Sequence, residues 1–156
     1  MAKSTPATLM LQKAGIAFQL HEYDYDPDAP RIGMQAAEAL GIEPQRLLKT
    51  LMARAGDKVV CVLVPSDREV NLKKLAAAAK AKSAAMLGAA EAERLTGYHV
   101  GGISPFGQKK RVPVFVEQSA LAFDRLVLNG GRRGLQVELT PDDLVRVLNA
   151  TAAEIC

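Results

Sequence analysis

The residues of this chain that could do chemistry lie in two glycine-rich segments accompanied by cations. The segments are Gly101-Gly102-Ile103-Ser104-Pro105-Phe106-Gly107, with Lys109, Lys110 and Arg111 after it, and Asn129-Gly130-Gly131-Arg132-Arg133-Gly134. Glycine lets a backbone approach a ligand closely and offer its N–H groups, and proline stiffens a turn. Lysine and arginine beside such loops suit contact with phosphate groups. One such loop alone would more often be a hairpin turn with solvated charges, but two in 156 residues make a binding role equally plausible.

Two standard catalytic motifs fail at individual positions of the first loop. Residues 102–107 supply the glycine spacing of a nucleotide phosphate loop, but Gln108 stands where that loop needs a lysine. The residues ending at Ser104 begin like a nucleophile elbow, yet His21 and His99 both precede the serine. The sequence therefore favours neither a nucleotide-binding loop nor a serine hydrolase triad.

The two cysteines do not supply a nucleophile or a metal site. Cys61 lies within an apolar run, which predicts a buried and protonated thiol, and nothing in the sequence activates Cys156. They are too few for a disulfide framework and have no zinc-ligand spacing. We expect a reducing compartment and a site without a metal or another cofactor.

The composition predicts one compact domain, 1–156. Apolar residues make up 49% and charged residues 24%, so a packed core is possible, and the formal net charge is only +3. Aromatic residues are scarce, at 4% without tryptophan, which argues against a site that stacks several bases on aromatic rings. No segment has the length of a membrane span or a signal region, so we expect a cytoplasmic protein with no membrane or DNA partner.

The elements that must position the two loops are predicted from periodicity and capping residues. Lys49 is expected to begin the first arm of a hairpin, and alternation from Phe18 to Tyr23 places His21 and Tyr23 on one face of a strand. Because strands and helices do not strictly alternate, we expect an α+β fold with a mixed, largely antiparallel sheet. The patterns indicate five helices, at 6–14, 34–40, 72–79, 89–95 and 141–148, and about six strands, at 18–23, 49–55, 58–64, 112–116, 125–128 and 135–139.

Three stretches together resemble the YbaK family of the prolyl-tRNA editing superfamily, the free-standing deacylases of cysteinyl-tRNA(Pro). They are Lys49-Thr50-Leu51, the long loop 96–110, and Gly130-Gly131-Arg132-Arg133-Gly134-Leu135. The N-terminal pattern from Thr5 to Pro27 continues the resemblance, which therefore covers nearly the whole chain. It implies a barrel-like mixed sheet with flanking helices, acting without a metal on the ester between an amino acid and the tRNA 3′ adenosine.

The resemblance also implies roles for individual residues. Lys49 would be the essential lysine, and Gly101 would begin a Gly-x-x-x-Pro loop that faces the substrate carbonyl. Ile32 stands where the related deacylases often have phenylalanine, and Asn129 where they often have serine, which gives the amino acid pocket a different wall. The implied pocket residues are Tyr23, Ile32, Thr50, Gly102, Ile103, Ser104, Pro105, Asn129 and Gly130. The implied tRNA contacts are Lys109, Lys110, Arg111, Arg132 and Arg133.

The function implied is removal of a wrongly attached amino acid from tRNA(Pro). Cysteine is the expected amino acid, and its own thiol is expected to attack the ester carbonyl. This fits a site without a protein nucleophile, because an activated ester needs positioning and oxyanion stabilisation above all. A complex with prolyl-tRNA synthetase is implied, since that enzyme makes the mischarged tRNA. Three other readings stay open: a deacylase for alanine or another small amino acid, a non-catalytic tRNA-binding module, and a small-ester hydrolase unrelated to tRNA.

Overall fold

The structure, a computed structural model, describes residues 4–31 and 34–156. Its helices are α1 (Pro6–Lys13), α2 (Gln35–Leu40), α3 (Leu72–Ala78), α4 (Ala89–Thr96) and α5 (Pro141–Leu148), with a 3₁₀ turn at Gln118–Ala122. Its strands are β1 (Gln19–Glu22), β2 (Leu48–Ala55), β3 (Lys58–Pro65), β4 (Ala84–Met86), β5 (Val114–Glu117), β6 (Leu126–Asn129), β7 (Leu135–Leu139) and β8 (Thr151–Ala153). None of the helices in these ranges is long and apolar enough to cross a membrane.

The strands form two sheets that meet at one edge. The larger sheet has the order β4-β2-β3-β5-β8, with antiparallel pairs around β2 and parallel pairs on both sides of β5. The smaller sheet, β1-β7-β6, is antiparallel throughout. A parallel bridge from Leu47 to Val127 joins them just before β2. The expected α+β fold with a mixed, largely antiparallel sheet is confirmed, although the strands do not close into a barrel.

The main core lies between the two sheets. One cluster contains Leu48 and Leu63 from the larger sheet together with Leu128 and Val137 from the smaller one, and α5 adds Leu144. All five side chains are almost completely buried. Burial at about 25 cal/mol per Å² of apolar surface makes this contact the principal source of stability. The start of β2 is consequently held rigidly where the two sheets meet.

Helix α1 is fastened to the second glycine segment through its cap. The Thr5 hydroxyl accepts a hydrogen bond from the Thr8 N–H at 3.1 Å, as the Thr-Pro start of the helix predicted. The same hydroxyl donates to the Gly130 carbonyl at 2.5 Å. An N-terminal cap thus helps to position residues that the resemblance assigns to the substrate pocket.

Two strands were not predicted from the sequence. Strand β4 lies in an alanine-rich segment that favours a helix, and it forms by adding three residues to the edge of β2. Strand β8 follows α5 and pairs with β5 over three residues. Three residues are too few to show an alternating pattern, so only tertiary pairing reveals these strands.

Candidate active site

A cavity of about 420 Å³ opens at the junction of the two sheets. The volume is within the range of small-molecule sites, roughly 300–1,000 Å³. Its walls come from β2, from the segment after β1, from the first glycine loop, and from β6 and β7 of the smaller sheet. Most of the lining is apolar, including Leu48, Leu51, Met52 and Leu87.

The cavity brings together six of the residues that the resemblance assigned to the site. They come from β2, from the residue directly after β1, from the first glycine loop and from β6. The six residues are Tyr23, Lys49, Thr50, Gly101, Ile103 and Asn129. These positions are up to 106 residues apart in the sequence, so the fold itself assembles the site.

Four other expected pocket residues do not line this cavity. Gly102, Ser104 and Gly130 are buried behind its wall, and Pro105 lines a separate cavity of about 90 Å³. The Ser104 hydroxyl accepts a hydrogen bond from the Phe106 N–H at 3.2 Å, which stabilises the turn. Ser104 is 0% exposed, so this position offers no serine nucleophile to the cavity. The expected role of Ile32 falls outside the described residues.

Lys49 is the cation of the cavity wall. Its side chain is 22% exposed, and its Nζ lies 3.4 Å from Oε1 of Glu69. Backbone pairing with Val64 in β3 fixes the position of Lys49 along the larger sheet. A lysine ammonium group can donate hydrogen bonds to an anionic or carbonyl oxygen.

Two buried polar atoms of the cavity wall have no hydrogen-bond partner within the ranges 4–31 and 34–156. They are Oγ1 of Thr50 and Oε1 of Gln136, and both residues line the cavity. An unpartnered polar atom in a buried wall is costly unless a ligand or water completes its hydrogen bonds. These two atoms are therefore candidates for contact with polar groups of the substrate.

Sequence reasoning missed Gln136, and the reason lies in the alternation of β7. In Leu135-Gln-Val-Glu-Leu139 the two polar residues share one face, which a strand pattern assigns to solvent. Gln136 is nevertheless only 4% exposed. Strand alternation alone gives no signal that the fold covers this face.

Tyr25 was also missed, because it lies in a segment rich in Asp and Pro that reads as a loop. It lines the cavity together with Tyr23. Burial, and secondarily the nearby Tyr25, raise the pKa of Tyr23 above its usual value near 10. Tyr23 is therefore a neutral phenol at physiological pH and acts there as a hydrogen-bonding group.

The first glycine loop presents its backbone to the cavity in a fixed orientation. The Arg133 Nε–H donates to the Val100 carbonyl at 2.9 Å, and the Asn129 Nδ2–H donates to the Gly101 carbonyl at 3.2 Å. No acceptor for the N–H groups of Gly101 and Ile103 lies within the described ranges. Both residues line the cavity, so their N–H groups are candidate donors to an oxygen atom bound there.

The five residues predicted to contact tRNA do not line the cavity. Lys109, Lys110 and Arg111 are exposed on the chain that leaves the loop. Arg132 and Arg133 border a groove behind the loop, where Arg132 also pairs with Glu22 at 3.0 Å. The cations thus surround the loop without entering the cavity.

No histidine or cysteine is placed to act as a nucleophile or base in this cavity. His21 pairs with Glu138 at 2.7 Å on the smaller sheet, and His99 is 90% exposed. Burial raises the pKa of the Cys61 thiol to about 12. Burial and, after it, the charge of Glu117 raise the pKa of Cys156 to about 11. The described part of the chain also holds no group of three or more residues suited to a metal ion.

Residues 26–147 match the family of the aminoacyl-tRNA editing domain. The chain is 34% identical over 155 residues to EbsC of Enterococcus faecalis, named as a proposed Cys-tRNA(Pro)/Cys-tRNA(Cys) deacylase; the match covers 98% of this chain and 93% of EbsC. A segment of 68 residues is 46% identical to the proline–tRNA ligase of Caldicellulosiruptor saccharolyticus, covering 44% of this chain and 12% of the ligase. The fold matches the crystal structure of a proposed trans-editing enzyme for prolyl tRNA synthetase, with a TM-score of 0.84 at 22% identity over 99% of this chain and 98% of the other.

Proposed function

The chain belongs to the aminoacyl-tRNA editing domain family, and from that premise we propose that it removes cysteine from cysteinyl-tRNA(Pro). Aminoacyl-tRNA editing is the activity of the family, and the chain is an aminoacyl-tRNA deacylase. One observation carries the narrower proposal. Lys49 and the unpartnered N–H of Gly101 line the same mainly apolar cavity, which contains no histidine and no cysteine among its described lining residues.

The proposed reaction uses the thiol of the substrate. The sulfur attacks the carbonyl carbon of the aminoacyl ester, and the carbonyl oxygen becomes an oxyanion. Collapse breaks the bond to the 3′ oxygen of the terminal adenosine, which leaves as a hydroxyl group with the proton of the thiol. The product is a cysteine thiolactone, which water opens to free cysteine.

The contribution of the protein is positioning and charge stabilisation. Donors placed where negative charge develops stabilise a transition state because they need no reorganisation during the reaction. The N–H groups of Gly101 and Ile103 supply such donors, and Lys49 supplies a positive charge in the same cavity. Apolar neighbours such as Leu48 and Met52 exclude water and strengthen these interactions.

Two oxygen atoms of the cavity wall suit the amino group of the substrate. An ammonium group has three donors, and Oγ1 of Thr50 and Oε1 of Gln136 are acceptors without other partners in the described ranges. The short thiol side chain then lies against the apolar wall. At the mouth, Met86 and Val100 are each about two-fifths exposed and offer apolar surface to the terminal adenine.

The polynucleotide is proposed to run over the basic residues around the loop, with Lys109, Lys110, Arg111 and Arg132 as phosphate contacts. Such contacts hold the acceptor end without reading its sequence. We extend the proposal to an encounter with prolyl-tRNA synthetase, the source of the mischarged tRNA. The similarity of residues in this chain to segments of proline–tRNA ligases supports a shared substrate.

The test is a deacylation panel on tRNA(Pro) charged with cysteine, alanine, serine or proline. We expect rapid loss of cysteine, slow loss of alanine and serine, and no loss of proline above the spontaneous rate. If alanine is released faster than cysteine, the substrate is alanyl-tRNA(Pro) and not cysteinyl-tRNA(Pro). Binding of charged tRNA without discharge would identify a non-catalytic binding module and overturn the proposal. Equal cleavage of a simple aminoacyl ester and whole tRNA would identify a general esterase.

A further inference from the structure

Arg133 is turned toward the first glycine loop rather than toward solvent. Its Nε–H donates to the Val100 carbonyl at 2.9 Å, and its guanidinium carbon lies 5.1 Å from the centre of the Tyr25 ring. A cation over an aromatic face at this distance is attracted to it. Two independent interactions therefore fix the head group of a residue that the sequence assigned to tRNA binding.

The side chains of Tyr25 and Arg133 also pack against Gly101. A Cβ atom built on Gly101 would lie 2.9 Å from the Tyr25 Oη and 3.0 Å from the Arg133 Nε. Gly101 has a φ of +91°, which few residues other than glycine adopt. The two side chains are thus packed against the backbone that faces the cavity.

The contact with Val100 determines where the Gly101 N–H points. No cis peptide occurs in the described residues, and in a trans peptide the C=O and the N–H of one plane point in opposite directions. Since the Val100 oxygen is held on the Arg133 side, the Gly101 N–H points to the opposite side of the loop. Gly101 lines the cavity and Arg133 does not, although the Tyr25 ring under the Arg133 head group also lines it.

We propose that Arg133, supported by Tyr25, is a positioning residue that aims the Gly101 N–H into the cavity, and that it is not a tRNA phosphate contact. This inference rests on the proposed function of the cavity. It predicts that the guanidinium fork, and not its charge, is what the site requires, because an ammonium group lacks the planar Nε donor.

The experiment compares Arg133→Lys, Arg133→Ala and Tyr25→Leu, with Arg146→Lys as the matched control. Arg146 lies on α5, pairs with Asp143 at 2.6 Å and has a side chain that is 71% exposed. Rates of cysteinyl-tRNA(Pro) discharge are measured at saturating and limiting tRNA and at several salt concentrations. Backbone ¹⁵N order parameters of Gly101 and Gly102 are measured without substrate.

For both Arg133 variants we expect the saturated rate to fall by about tenfold or more, the effect of losing one hydrogen bond from a charged donor. The KM for tRNA and its salt dependence should stay at the wild-type values. Tyr25→Leu should lower the same rate. A variant that combines Arg133→Ala with Tyr25→Leu should lose less activity than the product of the two single losses. The order parameters of Gly101 and Gly102 should fall from about 0.85 toward 0.6 in Arg133→Lys and stay unchanged in Arg146→Lys.

A phosphate contact gives the opposite pattern. Arg133→Lys would then keep the wild-type rate, and Arg133→Ala would raise KM and reduce the salt slope by about 0.7–0.9. That result, or unchanged order parameters in folded Arg133→Lys and Tyr25→Leu, would overturn the inference. The order parameters decide the question even if the wild-type protein fails to discharge cysteinyl-tRNA(Pro), so the failure of the positioning role and that of the proposed function are distinguishable.

Discussion

The Nζ of Lys49 lies 3.4 Å from Oε1 of Glu69, an acid whose side chain is 91% exposed. Lys49 lines the cavity and Glu69 does not. An ion pair with so exposed a partner is screened by solvent and contributes little to stability. The ammonium group is therefore free to exchange this carboxylate for a substrate oxygen.

Lys49→Ala is accordingly expected to remove activity without unfolding the protein. The rate should fall by about ten- to a hundredfold, since one charged hydrogen bond is worth about 1.5–3 kcal/mol. Lys49→Arg should also be impaired because its planar head group differs in shape from an ammonium group. Single-turnover discharge of cysteinyl-tRNA(Pro) is the measurement, and Glu69→Ala, which should keep the wild-type rate, is the control. Wild-type turnover by folded Lys49→Ala would remove Lys49 from the site.

Gly101→Ala and Gly102→Ala should differ in how they affect stability and activity. A Cβ on Gly102 would lie 2.8 Å from the Arg133 backbone nitrogen, so we expect a loss of about 1–3 kcal/mol in the free energy of unfolding. A Cβ on Gly101 would crowd the Tyr25 Oη and the Arg133 Nε, and the φ of +91° strains an alanine there, so we expect some loss of stability and a larger loss of activity. Thermal melts and discharge rates separate the two effects. Gly88→Ala, with a negative φ and no atom within 4 Å of the new Cβ, is the matched control.

Ser104→Ala completes the comparison within the same loop. Because Ser104 is buried behind the cavity, its loss should lower stability slightly and leave the rate near that of wild type. Full inactivation of a folded Ser104→Ala protein, with Gly101→Ala still active, would restore a serine nucleophile.

Gln136→Leu should weaken catalysis while leaving stability unchanged or improved. The Oε1 of Gln136 is buried without a partner in the described residues, and replacing such a group by an apolar one removes a desolvation cost. If that atom accepts a hydrogen bond from the substrate ammonium, kcat/KM should fall about tenfold. Urea unfolding and kcat/KM are measured in parallel with Gln118→Leu, an exposed position remote from the cavity. A stability loss with unchanged kcat/KM would show that Gln136 has a purely structural role.

The sequence predicted the parts of the fold that local physics determines. The Thr5 and Asn71 caps and the β2–β3 hairpin follow from residue type and spacing alone, and the structure confirms them. Strands β4 and β8 could not be predicted, because each exists only through pairing with a neighbour distant in sequence.

The site was predictable to the extent that its residues carry a family pattern. Lys49, Thr50 and Gly101 lie in such patterns and line the cavity together. Gln136 was hidden because strand alternation assigns it to solvent, although the fold buries it. Arg133 was assigned to phosphate by its charge, since the carbonyl it meets belongs to a residue 33 positions away.

The stability of the protein should fall in acid partly through Glu117. Glu117 is 3% exposed, and burial alone would raise the pKa of its carboxyl. The N–H groups of Ile155 and Ser119 donate hydrogen bonds to this carboxyl and outweigh burial. The pKa is therefore lower than its ordinary value near 4.5. A lowered pKa in the folded state means that the contribution is complete above pH 4.5 and is lost as the pH falls further.

Glu117→Gln should therefore be less stable than wild type at pH 7, by about 1–3 kcal/mol for a buried acceptor that loses its charge. The difference should shrink as the pH falls below 4.5. Urea unfolding between pH 7 and pH 3.5 measures it, and Glu154→Gln, at an exposed pair with Lys74, is the control. A difference that is constant across this range would show that the titration of Glu117 does not contribute.

The remaining prediction asks whose sulfur performs the reaction. Cys61 is 0% exposed with a pKa of about 12, and Cys156 has a pKa of about 11, so both are protonated thiols at neutral pH. A Cys61→Ala, Cys156→Ala double variant should discharge cysteinyl-tRNA(Pro) at the wild-type rate, with a stability loss of about 1 kcal/mol from the cavity left by Cys61. Seryl-tRNA(Pro) should react far more slowly, because a thiol is a few per cent thiolate near pH 7 and a hydroxyl is not. Inactivity of the folded double variant would indicate that a cysteine of the protein is the nucleophile. Equal rates on cysteinyl-tRNA(Pro) and seryl-tRNA(Pro) would favour an activated water. Only retained activity together with a strong preference for the thiol substrate supports attack by the sulfur of the cysteine being removed.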